Sequence, residues 1–327
     1  MLGTDFPTKK LPPKNGADIF DATQKFLLYN KPDILMGNLE GTLTDVDSGG
    51  KVERILKRLN DKNKTLYAFR MPPSYSKLLA KAGFNVLTTS NNHAFDFGLV
   101  GFEDTQKNLK KVGIHTAGLA GEVVRLVKKG KRISVIPFSW YEVANNFKRE
   151  KRATALIRGE AHFSDIVIVS AHGGAEGDKA IHITDDNETA FGEERGNIYR
   201  FAHIAIDAGA DVVVGHGPHV LRAVKVYKNR IILFSLGNYI AYMMSAEGYK
   251  RYSVIVNLIV DEQGAFLRGK MFPLKQNYGN PRHGIPFYDK ERKSVEIVQE
   301  LTKSDINNPN IKIDRFGSLT NTTSNEP

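Results

Sequence analysis

Short apolar runs alternate along the chain with segments of helical periodicity, and turn-forming residues separate them. Residues 33–38 (DILMGN) read as a short buried strand that runs into a loop. Residues 74–82 predict a helix, with Ser74 as its N-cap and Gly83 as its stop. A second strand follows at 85–89, a helix at 102–112 ended by Gly113, and the start of a third strand at 114–116. Residues 123–127 and 133–137 flank a Lys-Lys-Gly turn and predict a hairpin. Further along, 165–170 (DIVIVS) reads as a buried strand, 197–208 as a helix and 211–214 as another strand. Two more hairpins are predicted, one pairing 221–227 with 231–235 and one pairing 252–260 with 265–272.

Strand-helix alternation followed by hairpins predicts an α/β fold, a mixed sheet system covered by helices. From about residue 277, Gly, Pro, Asn and Lys dominate. Residues 276–327 are therefore expected to extend a main domain of residues 1–275, with the polar tail 317–327 disordered.

Composition narrows the chemistry. With 327 residues and a hydrophobic fraction of 41%, the chain has material for a sizeable core. No apolar run is long enough to span a bilayer, and the opening MLGTDFPTKKLPPK lacks the apolar centre of a signal peptide. There is no cysteine, which excludes disulfides, thiolate zinc sites and a Cys nucleophile. Any metal must be held by His, Asp, Glu or Asn. The net charge of +10 favours a polyanionic partner. The basic residues form only short clusters, such as Lys128, Lys129, Lys131 and Arg132, with no recognition helix or stacked aromatics. Nucleic acid is therefore not expected as a partner, whereas an anionic polymer or a phosphorylated substrate is.

Four segments share one design, an apolar strand ending in metal-competent residues and a loop. They are ILMGNLEGTL with Glu40, VLTTSNNHAFDFG with Asn92 and His93, IVIVSAHGGAEGD with His172, and VVVGHGPHVL with His216 and His219. Ligands of α/β sheets bind beyond the carboxyl ends of strands, so the clusters can meet in one cavity. Carboxylate, amide oxygen and neutral imidazole suit divalent Mn, Fe or Zn. Glu40 can bridge two ions with its two oxygens. Taken one at a time, these residues read equally well as hydrogen-bonded core histidines, turn asparagines or caps; it is their recurrence at successive strand ends that points to a metal site. His203, inside the helical run, reads as packing, and His115, His162, His182 and His283 as structural or surface residues.

In order, the segments MLGTDFP, GNLEGTLT, FRMPPSYSKLLAKAGFNVLTTSNNHAFDFG, AHGGAEG, DAGADVVVGHGPHV and FSLGNYI resemble the CapA family of bacterial capsule and poly-γ-glutamate biosynthesis proteins. That family's fold resembles the calcineurin-like metallophosphoesterases, and the resemblance runs from Met1 to about Ile240. It implies a four-layer α-β-β-α sandwich with mixed sheets. It implies two divalent metal ions, with Glu40 bridging them, Asn92, His172 and His216 completing one position and His219 serving the other. His93 would be the general acid or transition-state stabiliser. Glu176 and Asn238 would lie in the pocket wall, touching ligands or substrate. The family pattern also has a strand ending in a Gly-Asp pair ahead of the Met-Leu-Gly segment, and that Asp is a metal ligand. Without that strand, the second metal position keeps Glu40 and His219, one sheet has an open seam, and Met1 and Leu2 are expected to be exposed.

Two functions follow. In the first, two ions roughly 3.5–4 Å apart serve hydrolysis of a phosphoester or related anionic linkage. In the second, the chain is a non-catalytic accessory subunit that binds an anionic polymer during synthesis or export. The resemblance implies an extracytoplasmic, envelope-associated location and membrane-bound capsule-synthesis subunits as partners.

Overall fold

β-Branched residues fill the short apolar runs, and the strands form where that pattern places them. The computed structural model describes residues 1–7, 9–56 and 67–323. The chain runs through α1 (Gln24–Leu27), β1 (Met36–Asn38), β2 (Thr42–Leu43), α2 (Gly50–Leu56), β3 (Arg70–Met71), α3 (Tyr75–Ala82), β4 (Val86–Thr88), α4 (Gly98–Lys110) and β5 (His115–Ala117). It continues through β6 (Val124–Lys128), β7 (Lys131–Ser139), α5 (Glu150–Phe163), β8 (Ile166–His172), β9 (Glu188–Ala190), β10 (Glu193–Gly196), α6 (Ile198–Asp207), β11 (Val212–His216), β12 (Val224–Tyr227) and β13 (Arg230–Leu233). It ends with β14 (Tyr252–Val260), β15 (Phe266–Gln276), β16 (Pro286–Tyr288), α7 (Lys293–Asp305), β17 (Ile311–Ile313) and β18 (Ser318–Asn321).

The result is a mixed α/β fold with several sheets. Six strands in the order β12-β13-β11-β8-β7-β6 form the largest sheet, parallel from β13 to β7 and antiparallel at both margins. A three-stranded parallel sheet has the order β1-β4-β5. An antiparallel sheet has the order β14-β15-β18-β17, with β16 also on β15. Helices α5 and α6 pack on the large sheet, through Ala153, Ile157, Phe201, Ala202 and Ala205. Val86 and Ala117 of the three-stranded sheet meet Val124 and Val135 of the large one. Between the two sheets the hydroxyls of Thr88 and Ser170 stand 3.1 Å apart.

Three departures from the expected pattern have physical causes. Helix α5 lies where no element is predicted. Its buried positions are Ala153, Ile157 and Glu160, a stripe too thin and too charged to stand out. Residues 276–323 are not a separate extension. β16 and β18 pair with β15, while Val295, Ile297, Val298 and Leu301 of α7 belong to the same core as Val213 and Leu233. Gly and Pro flank α7 and mask its amphipathic spacing. Disorder was expected from residue 317, but β18 is paired there; 324–327 lie outside the described residues.

The N-terminal residues also depart from expectation. Leu2 is 4% exposed, packed with Ile19, Leu39 and Met71, rather than exposed. Met1 is half-buried, and its amino group donates to Ile240 O at 3.1 Å. Beyond it lies an elongated cavity of about 850 Å³ between β1 and β14. Among the described residues, β1 pairs only with β4, and β14 pairs only with β15 apart from one bridge at Gly237–Ser253. The cavity is lined by Ile166, Ile168, Val212 and Val214, so two open sheet edges share an apolar floor.

Membership of α7 in the common core is testable. Leu301→Ala is expected to lower the stability of the whole chain by about 2–5 kcal/mol, in one cooperative transition. Urea unfolding followed through the distant Trp140 checks this; an unshifted midpoint there would make α7 an independent appendage.

Candidate metal centre

Parallel pairing brings the donors together. β8 and β11 run in register, with His172 opposite His216 at their carboxyl ends. The loops that follow lie against each other because residue 217 has no side chain. A Cβ on Gly217 would stand 2.7 Å from Gly173 O, and the Gly173 N–H donates to His216 O at 2.9 Å. β1 and β4 bring the Glu40 and Asn91–His93 loops to the same place from the neighbouring sheet. Asn91 secures them, donating to Asn38 Oδ1 at 3.1 Å and to Leu39 O at 2.9 Å, and accepting from His93 N at 3.1 Å.

Glu40, His172 and His219 stand close together here, with His216 beside His172 on the paired strand. Glu40 Oε1 is 3.7 Å from His172 Nε2 and 3.8 Å from His219 Nε2. Glu40 Oε1, Asn92 Oδ1, His172 Nε2 and His216 Nε2 are buried without a hydrogen-bond partner. Among neighbouring asparagines, Asn91 is spent on the loops while Asn92 keeps a free oxygen. Among the described residues, no three His, Asp or Glu side chains close on a common point as a formed cage.

Electrostatics keep the donors in the form a cation requires. Burial lowers the His172 pKa to about 3, helped by His216, His219 and Arg195 and opposed by Glu40. Burial lowers His216 to about 4, again opposed by Glu40. Burial works against ionising Glu40, but His219, His172, His93 and the Met1 amino group together outweigh it and lower its pKa to about 2. The site thus holds the Glu40 carboxylate beside the neutral imidazoles of His172 and His216.

Neighbours set which ring nitrogen is free. Asn238 Oδ1 accepts from His219 Nδ1 at 2.9 Å, leaving Nε2 of His219 with its lone pair. Asn38 Nδ2 stands 3.2 Å from His172 Nδ1. Asn38 Oδ1 is committed to Asn91 Nδ2, so the Asn38 amide nitrogen donates to His172 Nδ1 and the ring proton sits on Nε2, from which ligation would have to displace it. Asn238 lines the cavity and also orients His219.

His93 is held by a residue that the sequence reading did not single out. Its Nδ1 is 2.7 Å from Asp96 Oδ2, which also accepts from Phe69 N at 2.8 Å. Lys51 Nζ is 3.6 Å from the other oxygen of Asp96. The spacing His93-x-x-Asp96 was the available clue. Arg195 and Trp140 were also missed. The buried Arg195 guanidinium pairs with Glu176 and lies 4.6 Å over the Trp140 ring, which stacks on His172 at 5.6 Å. The other oxygen of Glu176 is 3.7 Å from His219 Nε2. A charged hairpin reads as solvated surface, so nothing in the sequence pattern singled out Arg195. Of the remaining histidines, His203 is a packing residue, hydrogen-bonded to Tyr199 O at 2.7 Å and to Lys225 Nζ at 2.9 Å.

The arrangement defines a class: a mixed α/β protein with unpaired oxygen and nitrogen donors converging at parallel strand ends. The model of the family "Bacterial capsule synthesis protein PGA_cap" matches residues 2–243, and this chain belongs to that family. It is 29% identical over 253 residues to "Capsule biosynthesis protein CapA" of Bacillus anthracis, covering 69% of this chain and 56% of that protein. The chain thus spans little more than half the length of that relative. It is 26% identical over 316 residues to "PGA biosynthesis protein CapA" of Bacillus subtilis, covering 90% of this chain and 74% of that one. It is also 26% identical over 274 residues to a probable polyglutamine synthesis accessory protein of Mycobacterium tuberculosis, covering 72% and 67%. Among solved structures, purple acid phosphatase PPD1 from yellow lupin matches with a TM-score of 0.29 and 8% identity, over 67% of this chain and 49% of that one. That likeness is too slight to define a shared fold.

The lowered imidazole pKa values have a thermodynamic consequence in metal-free protein. His172 and His216 titrate near 3 and 4 when folded, against an ordinary 6.5. Between those values the unfolded chain binds more protons, so stability rises with pH and is lost as pH falls below about 6.5. With chelator present, the urea midpoint is expected to be lower at pH 5 than at pH 7. The slope is up to about 1.4 kcal/mol per pH unit per imidazole. It should flatten in His216→Asn; an unchanged slope there would show that His216 does not titrate this way.

Proposed function

We propose that this chain acts in capsule or poly-γ-glutamate biosynthesis, and that its strand-end cluster holds two divalent ions, Mn, Fe or Zn, for hydrolysis of a phosphoester or related anionic linkage. One observation carries the metal reading. Four buried atoms from four separate loops or strand ends, Glu40 Oε1, Asn92 Oδ1, His172 Nε2 and His216 Nε2, lack any partner. Each unsatisfied group costs about 1–3 kcal/mol, and a cation would relieve all four. Family membership and the names of the relatives support the biosynthetic role.

In this reading Glu40, Asn92, His172, His216 and His219 would hold the ions, with Glu40 shared between two positions and His219 serving the second. The ions would supply Lewis-acid polarisation of the linkage and a nucleophile at neutral pH. Asn238 holds His219 in the tautomer that leaves Nε2 free. Asp96 fixes the His93 ring through Nδ1, and His93 Nε2 then delivers a proton to the leaving-group oxygen. The sheet order suits a four-layer α-β-β-α arrangement. Envelope association and membrane-bound synthesis subunits as partners belong to the same proposal; among the described residues no helix is long and apolar enough to cross a membrane.

A second reading, an accessory subunit that binds anionic polymer without chemistry, is favoured by the net charge of +10 and by the lack of a closed three-residue cage among the described residues.

Metal content by mass spectrometry separates the two. The chain is purified without chelator and measured. Two ions per chain support the hydrolase. No metal, with the protein folded, removes the hydrolase and leaves the accessory role. Given bound metal, His172→Ala is expected to lose it, whereas His93→Ala keeps it and lowers turnover by about 10²–10⁴-fold.

A further inference from the structure

Arg195 has donors to spare, in a place where donors matter. Its side chain is 3% exposed, at the end of β10 beside the metal-ligand cluster. One terminal nitrogen is paired with Glu176 Oε1, while Glu193 Oε2 stands 3.6 Å from the other. Its Nε is buried with no partner. A guanidinium presents donors in a fork suited to both oxygens of one carboxylate, and Glu176 takes only one terminal nitrogen.

The frame around Arg195 is rigid. Arg222, fully buried, binds both oxygens of Glu188 on β9, at 2.9 and 2.6 Å, and Ala180 O at 2.7 Å. Glu188 in turn accepts from Ala175 N at 2.9 Å, which ties the β9–β10 hairpin to the loop bearing Glu176. Gly174 N donates to Arg195 O at 3.2 Å. Trp140 lies under the guanidinium, and the exposed Phe191 ring is 5.5 Å from it.

We propose that Glu176 stands in for a substrate carboxylate. Its two oxygens reach Arg195 and, at 3.7 Å, His219 Nε2. A carboxylate on a glutamyl polymer displaces it, takes the open fork of Arg195 and so sets the adjoining linkage beside Glu40 and His219. Arg195 is thus the residue that selects carboxylate-bearing substrate, and Glu176 is its built-in competitor. This inference rests on the polymer-biosynthesis reading above.

Trp140 is the single tryptophan of the chain, so its fluorescence reports on this place without any catalysis. A short γ-linked glutamate oligomer and inorganic phosphate are titrated separately into the full chain. The oligomer is expected to shift the emission and to bind more tightly than phosphate. Glu176→Gln should bind it several-fold more tightly, having lost the competing charge. Arg195→Gln should bind it roughly tenfold or more weakly, with Arg195→Lys between, since a lysine keeps the charge and loses the fork. Circular dichroism confirms folding, and Glu176→Gln, which leaves Arg195 in place, gives an answer even if the Arg195 variants do not fold. Equal oligomer affinity in Arg195→Gln, weaker affinity in Glu176→Gln, tighter phosphate binding, or no response in any form would each overturn the inference. Metal counts on the same samples read the hydrolase separately. Two ions per chain with an unaltered titration would leave that reading standing and remove this one.

Discussion

The in-register pairing of β8 with β11 governs the geometry of the site. It sets His172 opposite His216 and presses the two following loops together at Gly173 and Gly217. That contact places His219, whose backbone is held at φ 61, where its Nε2 faces Glu40. A one-residue slip of either strand would turn its imidazole to the opposite face of the sheet and dissolve the cluster. The neighbouring sheet is keyed to the same end by Thr88–Ser170 and by Asn38 against His172. Loops from two sheets therefore converge where neither sheet alone could assemble the donors.

The convergence of strand ends was legible because each apolar run stopped at a residue with a lone pair to offer. Glu40, His172, His216 and His219 lie near one another for that reason. The residues that orient them were not legible. Asp96 and Arg195 were not singled out, and Asn38 read only as the last residue of a strand. Their roles arise from tertiary proximity, as between Arg195 on β10 and Trp140 after β7. The same limit applied to the fold. α7 is amphipathic, with Val295, Val298 and Leu301 buried at helical spacing, but its flanks resemble a tail. The core claimed by those side chains is built from strands far away in the sequence, such as β11 and β13.

One buried charge in this molecule is held in a closed network. Arg222 is fully buried, yet its guanidinium is matched by Glu188, which also holds a backbone N–H of the substrate-side loop. Removing either partner would leave the other without compensation, a cost of about 3–5 kcal/mol. The strand-end cluster is the opposite case, with several polar atoms left unmatched in one small volume. Family membership says where such a chain belongs, and that local imbalance is what gives the cluster its chemical interest.

The donors also straddle a structural boundary. Glu40 and Asn92 leave the three-stranded sheet, while His172 and His216 end strands of the six-stranded one, and no backbone ladder joins the two sheets. An ion held by both sets acts as a cross-link whose strength follows its concentration, as for any ligand that binds only the folded state. Under the proposed metal reading, a cell short of divalent metal would hold this protein in a looser form, more open to proteolysis, and its abundance would track the metal supply of its compartment.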